Sequence, residues 1–107
     1  VDTAIAEYEK ALELEEGYSR AEIHNNLGSL YGNQRLWNLA TQEFKTAIEI
    51  NPRFYKAYNN LGTIYMVKGD MDEAARKFKE ALYIYPGYTK ARMNLEKVYE
   101  RDKSDKQ

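Results

Sequence analysis

The sequence repeats itself every 34 residues. Asn26, Asn60 and Asn94 stand at that spacing, as do Leu27, Leu61 and Leu95, and Tyr31, Tyr65 and Tyr99. Setting residues 21–54 against 55–88 without a gap gives 11 identities in 34 positions, including Asn25/Asn59, Gly28/Gly62, Ala40/Ala74, Phe44/Phe78, Ala47/Ala81 and Pro52/Pro86. A fixed period of this length implies stacked units, each burying its apolar face on its neighbours. Upstream, Ala4, Tyr8, Ala11, Leu12 and Leu14 echo Ala40, Phe44, Ala47, Ile48 and Ile50 at a spacing of 36, which leaves two extra residues in the connection 15–20.

Each unit reads as two short helices. Leu27, Leu30 and Tyr31 fall on one stripe at offsets of three and four, and Leu61, Ile64 and Tyr65 do the same. A turn is expected at Lys68-Gly69-Asp70, where glycine accepts a positive φ and Asp70 can cap the next helix. The second helix gathers Ala74, Phe78, Ala81 and Leu82 on one face before Pro86-Gly87 stops it. Small residues at Gly28, Gly62, Ala40, Ala74, Ala47 and Ala81 let paired backbones approach closely. Six helices are expected, near 2–15, 20–32, 36–50, 54–67, 71–84 and 88–102, in an all-α fold.

Composition narrows the function. With 16 basic and 17 acidic residues the net charge is −1, too little field to grip nucleic acid or an anionic membrane, and zero cysteines exclude disulfides and thiolate chemistry. No apolar run approaches the roughly 20 residues of a membrane span, and the first residues lack the order of a signal peptide. A soluble, cytoplasmic protein is the expectation. The 43% of hydrophobic residues, ten tyrosines among them, can fill a core. Charge is unevenly spread: residues 1–50 carry 4 basic and 9 acidic groups, and residues 51–107 carry 12 basic and 8 acidic.

No catalytic constellation is present. There is one histidine, no P-loop, no GxGxxG and no convergent pair of carboxylates, so neither an enzyme nor a cofactor is expected. His24 takes the place of the aromatic Tyr58 and is expected to pack as a small ring between helices, not to serve as a ligand or pH sensor. Asp70, Asp72 and Glu73 are expected to be turn and cap residues rather than a metal site.

The aromatic, Leu-Gly, Tyr, Ala, Phe, Ala, Pro order of Tyr58, Leu61-Gly62, Tyr65, Ala74, Phe78, Ala81 and Pro86 resembles the tetratricopeptide repeat family, and His24, Leu27-Gly28, Tyr31, Ala40, Phe44, Ala47 and Pro52 match it one unit earlier. The resemblance covers nearly the whole chain and implies a right-handed superhelix of antiparallel helix pairs. On it, the chain is a single domain: the second helix of a truncated repeat plus connection over 1–20, repeats over 21–54 and 55–88, a capping helix over 89–102 and a disordered tail over 103–107. Two residues depart from the family pattern. Arg35 replaces the glycine that Gly69 supplies, at about 1–2 kcal/mol if forced left-handed, so the turn is expected to reshape around Trp37. Glu96 occupies the slot of Gly28 and Gly62, where a packed partner helix leaves no room for a carboxylate, so no ordinary second helix follows; Arg92 can pair with it. At the other end, Ile5, Tyr8 or Leu12 of helix 2–15 lacks a partner helix, which suggests a fragment of a longer array.

In the family, the first-helix residues turned away from the packed stripe line a concave groove. Here they are Glu22, Asn25, Asn26, Ser29 and Gly32, then Lys56, Asn59, Asn60, Thr63 and Met66, then Lys90, Met93, Asn94, Lys97 and Glu100. Asn26, Asn60 and Asn94 form a ladder resembling the asparagines of the O-linked N-acetylglucosamine transferase repeat region. A carboxamide can pair with a peptide's C=O and N–H at once, whatever its side chains. The carboxylate clamp of chaperone-binding members is incomplete: Asn60 and Lys90 match, but Asn25, Ser29 and Asn94 stand at the other three slots. Lys56, Lys90 and Lys97 still make one half of the groove basic and suited to an acidic segment or a free carboxylate. The expected function is a non-catalytic interaction module holding an extended peptide or helix. The alternatives are a scaffold that self-assembles into a homo-oligomer through helix 2–15, and a repeat spacer of a larger enzyme. Replacing Asn60 and Asn94 by alanine is expected to weaken peptide binding without lowering thermal stability.

Overall fold

The computed structural model describes the backbone of residues 2–106 and the side chains of residues 16–103. Five helices follow one another: α1 Asp2–Asn33, α2 Trp37–Ile50, α3 Tyr55–Val67, α4 Met71–Ile84 and α5 Thr89–Lys106, with no strand among the described residues. The expectation of six is corrected at the first connection. Residues 2–15 and 20–32 belong to a single helix of 32 residues. The reason lies in what stands at the break. The two later unit boundaries carry Pro52 and Pro86, which end a helix by removing a donor and crowding the preceding turn. The first carries Glu16 at the corresponding place, and Gly17 alone costs only about 1 kcal/mol within a helix. The side chains of Ile5, Tyr8 and Leu12 lie outside the described residues.

Two apolar clusters share α3. Ala40, Phe44, Leu61 and Ile64 form the first, with Tyr31, Trp37, Ile48 and Tyr65 against it. Met66, Ala74, Phe78 and Val98 form the second, with Tyr65, Met71 and Leu95 beside it. The period is thus expressed in packing: Phe44 and Phe78 are fully buried at equivalent places. Each lies on a glycine of the preceding helix. A Cβ at Gly28 would stand 2.6 Å from Phe44 Cε1, and one at Gly62 would stand 2.6 Å from Phe78 Cε1, so the absence of a side chain is what admits each ring.

The two turns within units are alike despite their sequences. Leu36 N donates to Tyr31 O (2.9 Å) and Arg35 N to Gly32 O (3.0 Å); one period later Asp70 N donates to Tyr65 O (2.8 Å) and Gly69 N to Met66 O (3.1 Å). Gly69 has φ +87° and Arg35 has φ +62°. The turn at Arg35 is therefore not reshaped; the residue is held left-handed because the pattern of bonds around it demands that conformation. Asp70 sits at the N-terminus of α4, but its carboxylate makes no capping bond, and Ala74 N is received by its backbone carbonyl at 3.0 Å.

The last helix runs further than the sequence suggested. It continues to Lys106 through residues 103–106, expected as a disordered tail, since nothing after Thr89 is a proline or glycine. Ala91 and Val98 are buried against the preceding unit, while Glu96 is exposed. Arg92 is exposed too, and the ion pairs among the described residues do not include Arg92 with Glu96.

Candidate functional site

The first helix of each unit repeats the same offsets, so α1, α3 and α5 present equivalent residues side by side. What joins them is a pair of hydrogen bonds between side-chain carboxamides. Asn60 Nδ2 donates to Asn25 Oδ1 at 3.0 Å, and Asn94 Nδ2 donates to Asn59 Oδ1 at 3.0 Å, each across 35 residues. Asn25 and Asn59 are buried, at 8% and 5% exposure, whereas Asn60 and Asn94 are half-buried. The buried member of each pair fixes the orientation of the outer one. The outer carboxamide keeps its oxygen and its second N–H without a partner among the described residues. Asn26 is exposed and has no such holder among the described residues.

The adjacent Asn-Asn dipeptides thus divide their work, a point that spacing alone does not reveal. Asn25 and Asn59 are reached from the next unit and not from solvent. Removing Asn60 or Asn94 would leave a buried oxygen unpaired, at about 1–3 kcal/mol. The expectation that Asn60→Ala with Asn94→Ala leaves stability untouched is corrected on that ground.

Beside the amides lie two cavities, one period apart. The first, of about 280 Å³, opens between Gly28, Ser29, Gly32 and Asn33 of α1 and Asn60, Thr63, Ile64 and Val67 of α3, with Trp37 and Phe44 beneath. The second, of about 260 Å³, lies between Met66 of α3 and Lys97, Glu100 and Arg101 of α5. Lys97 stands at the repeat position of Thr63, and Arg101 at that of Val67. The same architectural slot is therefore uncharged in one unit and charged in the next. Arg101 Nη1 also donates to Met66 O at 3.4 Å, tying α5 to the end of α3. Arg101, Trp37 and Phe44 were not among the sequence candidates, although the 34-residue period places Arg101 in register with Asn33 and Val67. Lys56, Lys90 and Lys97 are all exposed.

His24 occupies the aromatic slot but does more than pack. It is half-buried, and its Nδ1 lies 2.6 Å from Glu43 Oε2 on α2, so the ring joins the two helices of its unit through a polar bond. In the next unit Tyr58 fills the slot and donates its hydroxyl to Pro52 O at 3.0 Å. Burial, and secondarily the charge of Glu80, raises the Tyr58 pKa above the usual tyrosine value. Tyr88 is raised likewise by burial and then by Tyr55, with which it packs edge to face at 4.8 Å. Among the described residues, no group of three or more His, Asp or Glu side chains is arranged to hold a metal ion, and no helix is long and apolar enough to cross a membrane.

Comparison with known proteins bears on this arrangement. Residues 21–54 and residues 55–88 each match a tetratricopeptide repeat family model. No curated protein matches the chain. Among solved structures it is similar to a crystal structure of MamA, with 27% identity and a TM-score of 0.75 over 79% of this chain and 50% of that one. The chain thus spans about half the length of the MamA chains it matches. The Arabidopsis OM64 TPR domain is similar in fold, with 19% identity and a TM-score of 0.77 over 79% of this chain and 70% of that one. So is the first TPR of Spaghetti (RPAP3) bound to the HSP90 peptide SRMEEVD, with 19% identity and a TM-score of 0.73 over 90% of this chain and 85% of that one.

Proposed function

The chain belongs to the tetratricopeptide repeat family, and from that premise we propose that it is a non-catalytic interaction module that holds an extended peptide along α1, α3 and α5. The observation that carries this reading is the pair of outer carboxamides, Asn60 and Asn94, each anchored by one hydrogen bond that it donates to a buried asparagine and each left with an acceptor and a donor to offer. Such a group meets a peptide backbone without having to be ordered first, which lowers the entropic cost of binding. Each backbone pair formed contributes roughly 1 kcal/mol net. Specificity then falls to the cavities: an apolar side chain suits the one above Trp37 and Phe44, and a carboxylate suits the one beside Lys97 and Arg101. Lys56 and Lys90 extend the positive side. The peptide held in the Spaghetti structure supports a peptide as the class of partner, but the clamp slots differ here, so a chaperone tail is not the ligand inferred.

Selection from a random peptide display library tests this. Recovered sequences are expected to carry an acidic group three to six residues from an apolar one, and Lys90→Glu with Lys97→Glu should weaken them tenfold or more while leaving the melting temperature in place. Both lysines are exposed and make no ion pair among the described residues, so a stability artefact is avoided. Peptides whose affinity ignores both substitutions would count against the groove.

A further inference from the structure

Within the stack, the face of α3 that meets the preceding unit is covered by α2. Ala57 is 0% exposed, Leu61 1% and Ile64 5%, with Ala40 and Phe44 of α2 in the same cluster. The equivalent face of α1 is bare: Ile23 is 56% exposed, Leu30 57%, and Leu27 is only half-buried. These are larger apolar side chains than a solvated helix face requires, set at offsets of four and three as one stripe.

The segment whose sequence suits that face is in the same chain. Ala4, Tyr8 and Leu12 occupy, 36 residues upstream, the positions of Ala40, Phe44 and Ile48. Yet α1 continues without a break from Asp2 to Asn33, so residue 8 stands ~28 Å along the helix from residue 27 at 1.5 Å per residue. A helix cannot fold back on itself to cover its own stripe. A second copy can.

We propose that the chain forms a two-fold dimer in which residues 2–14 of each copy lie antiparallel on the 20–33 stretch of the other, supplying the helix that the unbroken α1 withholds. The register follows from the interior of the molecule. There Phe44 and Leu61 share a cluster; shifted by 36 and 34 residues, that pair becomes Tyr8 with Leu27, whose numbers sum to 35. The same sum brings Leu12 level with Ile23 and Ala4 level with Tyr31. It also centres the two-fold between Gly17 and Tyr18 and sets Glu16 of each copy level with Ser19 of the other. Charge neither drives nor forbids this register, which sets Glu15 level with Arg20 and Glu13 level with Glu22, each twice. The apolar match decides. Asn26 borders this stripe, one turn from Ile23, whereas Asn60 and Asn94 lie on α3 and α5, so the test of the dimer is separate from the test of peptide binding.

Sedimentation velocity of the 107-residue chain from 1 to 200 µM should show the 12.5 kDa monomer giving way to a species of twice that mass. Ile23→Asp with Leu30→Asp should leave a monomer with its helical circular dichroism largely retained, since both side chains are exposed in the single chain. Glu16→Pro restores the residue found at Pro52 and Pro86; it should let residues 2–14 fold back on their own chain and likewise give a monomer, now with the stripe covered. The cysteine-free chain carrying Tyr8→Cys and Leu27→Cys should oxidise to a covalent dimer. A monomer throughout the concentration range, a disulfide closed within one chain, or a dimer indifferent to Ile23→Asp with Leu30→Asp would each overturn the proposal.

Discussion

Arg35 and Gly69 sit at the same point of the same turn, with φ of +62° and +87°, and only one of them is built for it. A non-glycine residue there costs about 1–2 kcal/mol, part of which glycine gives back through its freer unfolded chain. Arg35→Gly should therefore stabilise the chain by about 1 kcal/mol, measured as an increase in urea midpoint at constant slope; an unchanged or lowered midpoint would show that the arginine side chain contributes as much as its backbone strains. The strain was legible in the sequence as a missing glycine, but not the outcome. Sequence comparison could not decide whether the turn would reshape, because that depends on the bonds from Leu36 N and Arg35 N closing around it. The asparagines show the same division. Their spacing was visible at once, whereas the burial of Asn25 and Asn59 was not, since adjacent residues of one type look equivalent until the neighbouring helix is placed.

Helix boundaries were readable where a proline or a turn glycine marked them, or where the repeat carried one across as at Arg35, and were misread at 15–20 and 103–106, where the chain has no breaker. The 34-residue match located α2, α3 and α4 to within one residue at each end. It failed at residues 15–20 because similarity to a two-helix unit was allowed to stand for a breaker that the chain lacks. Because α1 is continuous, Gly17 lies in a helix interior with open space around its Cβ position, so Gly17→Ala should add about 1 kcal/mol of local helix stability. Amide exchange across residues 12–20 should slow about fivefold in that variant, as a gain of that size requires. Faster exchange would mean that the chain turns at Gly17 in a conformation an alanine resists.

Over the whole molecule the two clusters meet in α3, and Tyr65 belongs to the surroundings of both. Extents of 68 × 29 × 17 Å leave little interior apart from these contacts between neighbours. Stability in such a stack is a sum of unit terms and interface terms, so a defect in one cluster is felt most by the helices that build it. Phe44→Ala removes a ring that is 2% exposed, lies against Gly28 and floors the first cavity, at a cost of about 3–5 kcal/mol. Hydrogen exchange in that variant should accelerate strongly in α2 and in residues 20–33 of α1. It should accelerate less in α4 and α5, which keep Phe78 and Val98 in place, and to an intermediate degree in α3, which serves both sides. Uniform acceleration from α1 to α5 would instead show a single cooperative unit, with α3 transmitting the loss of one cluster fully to the other.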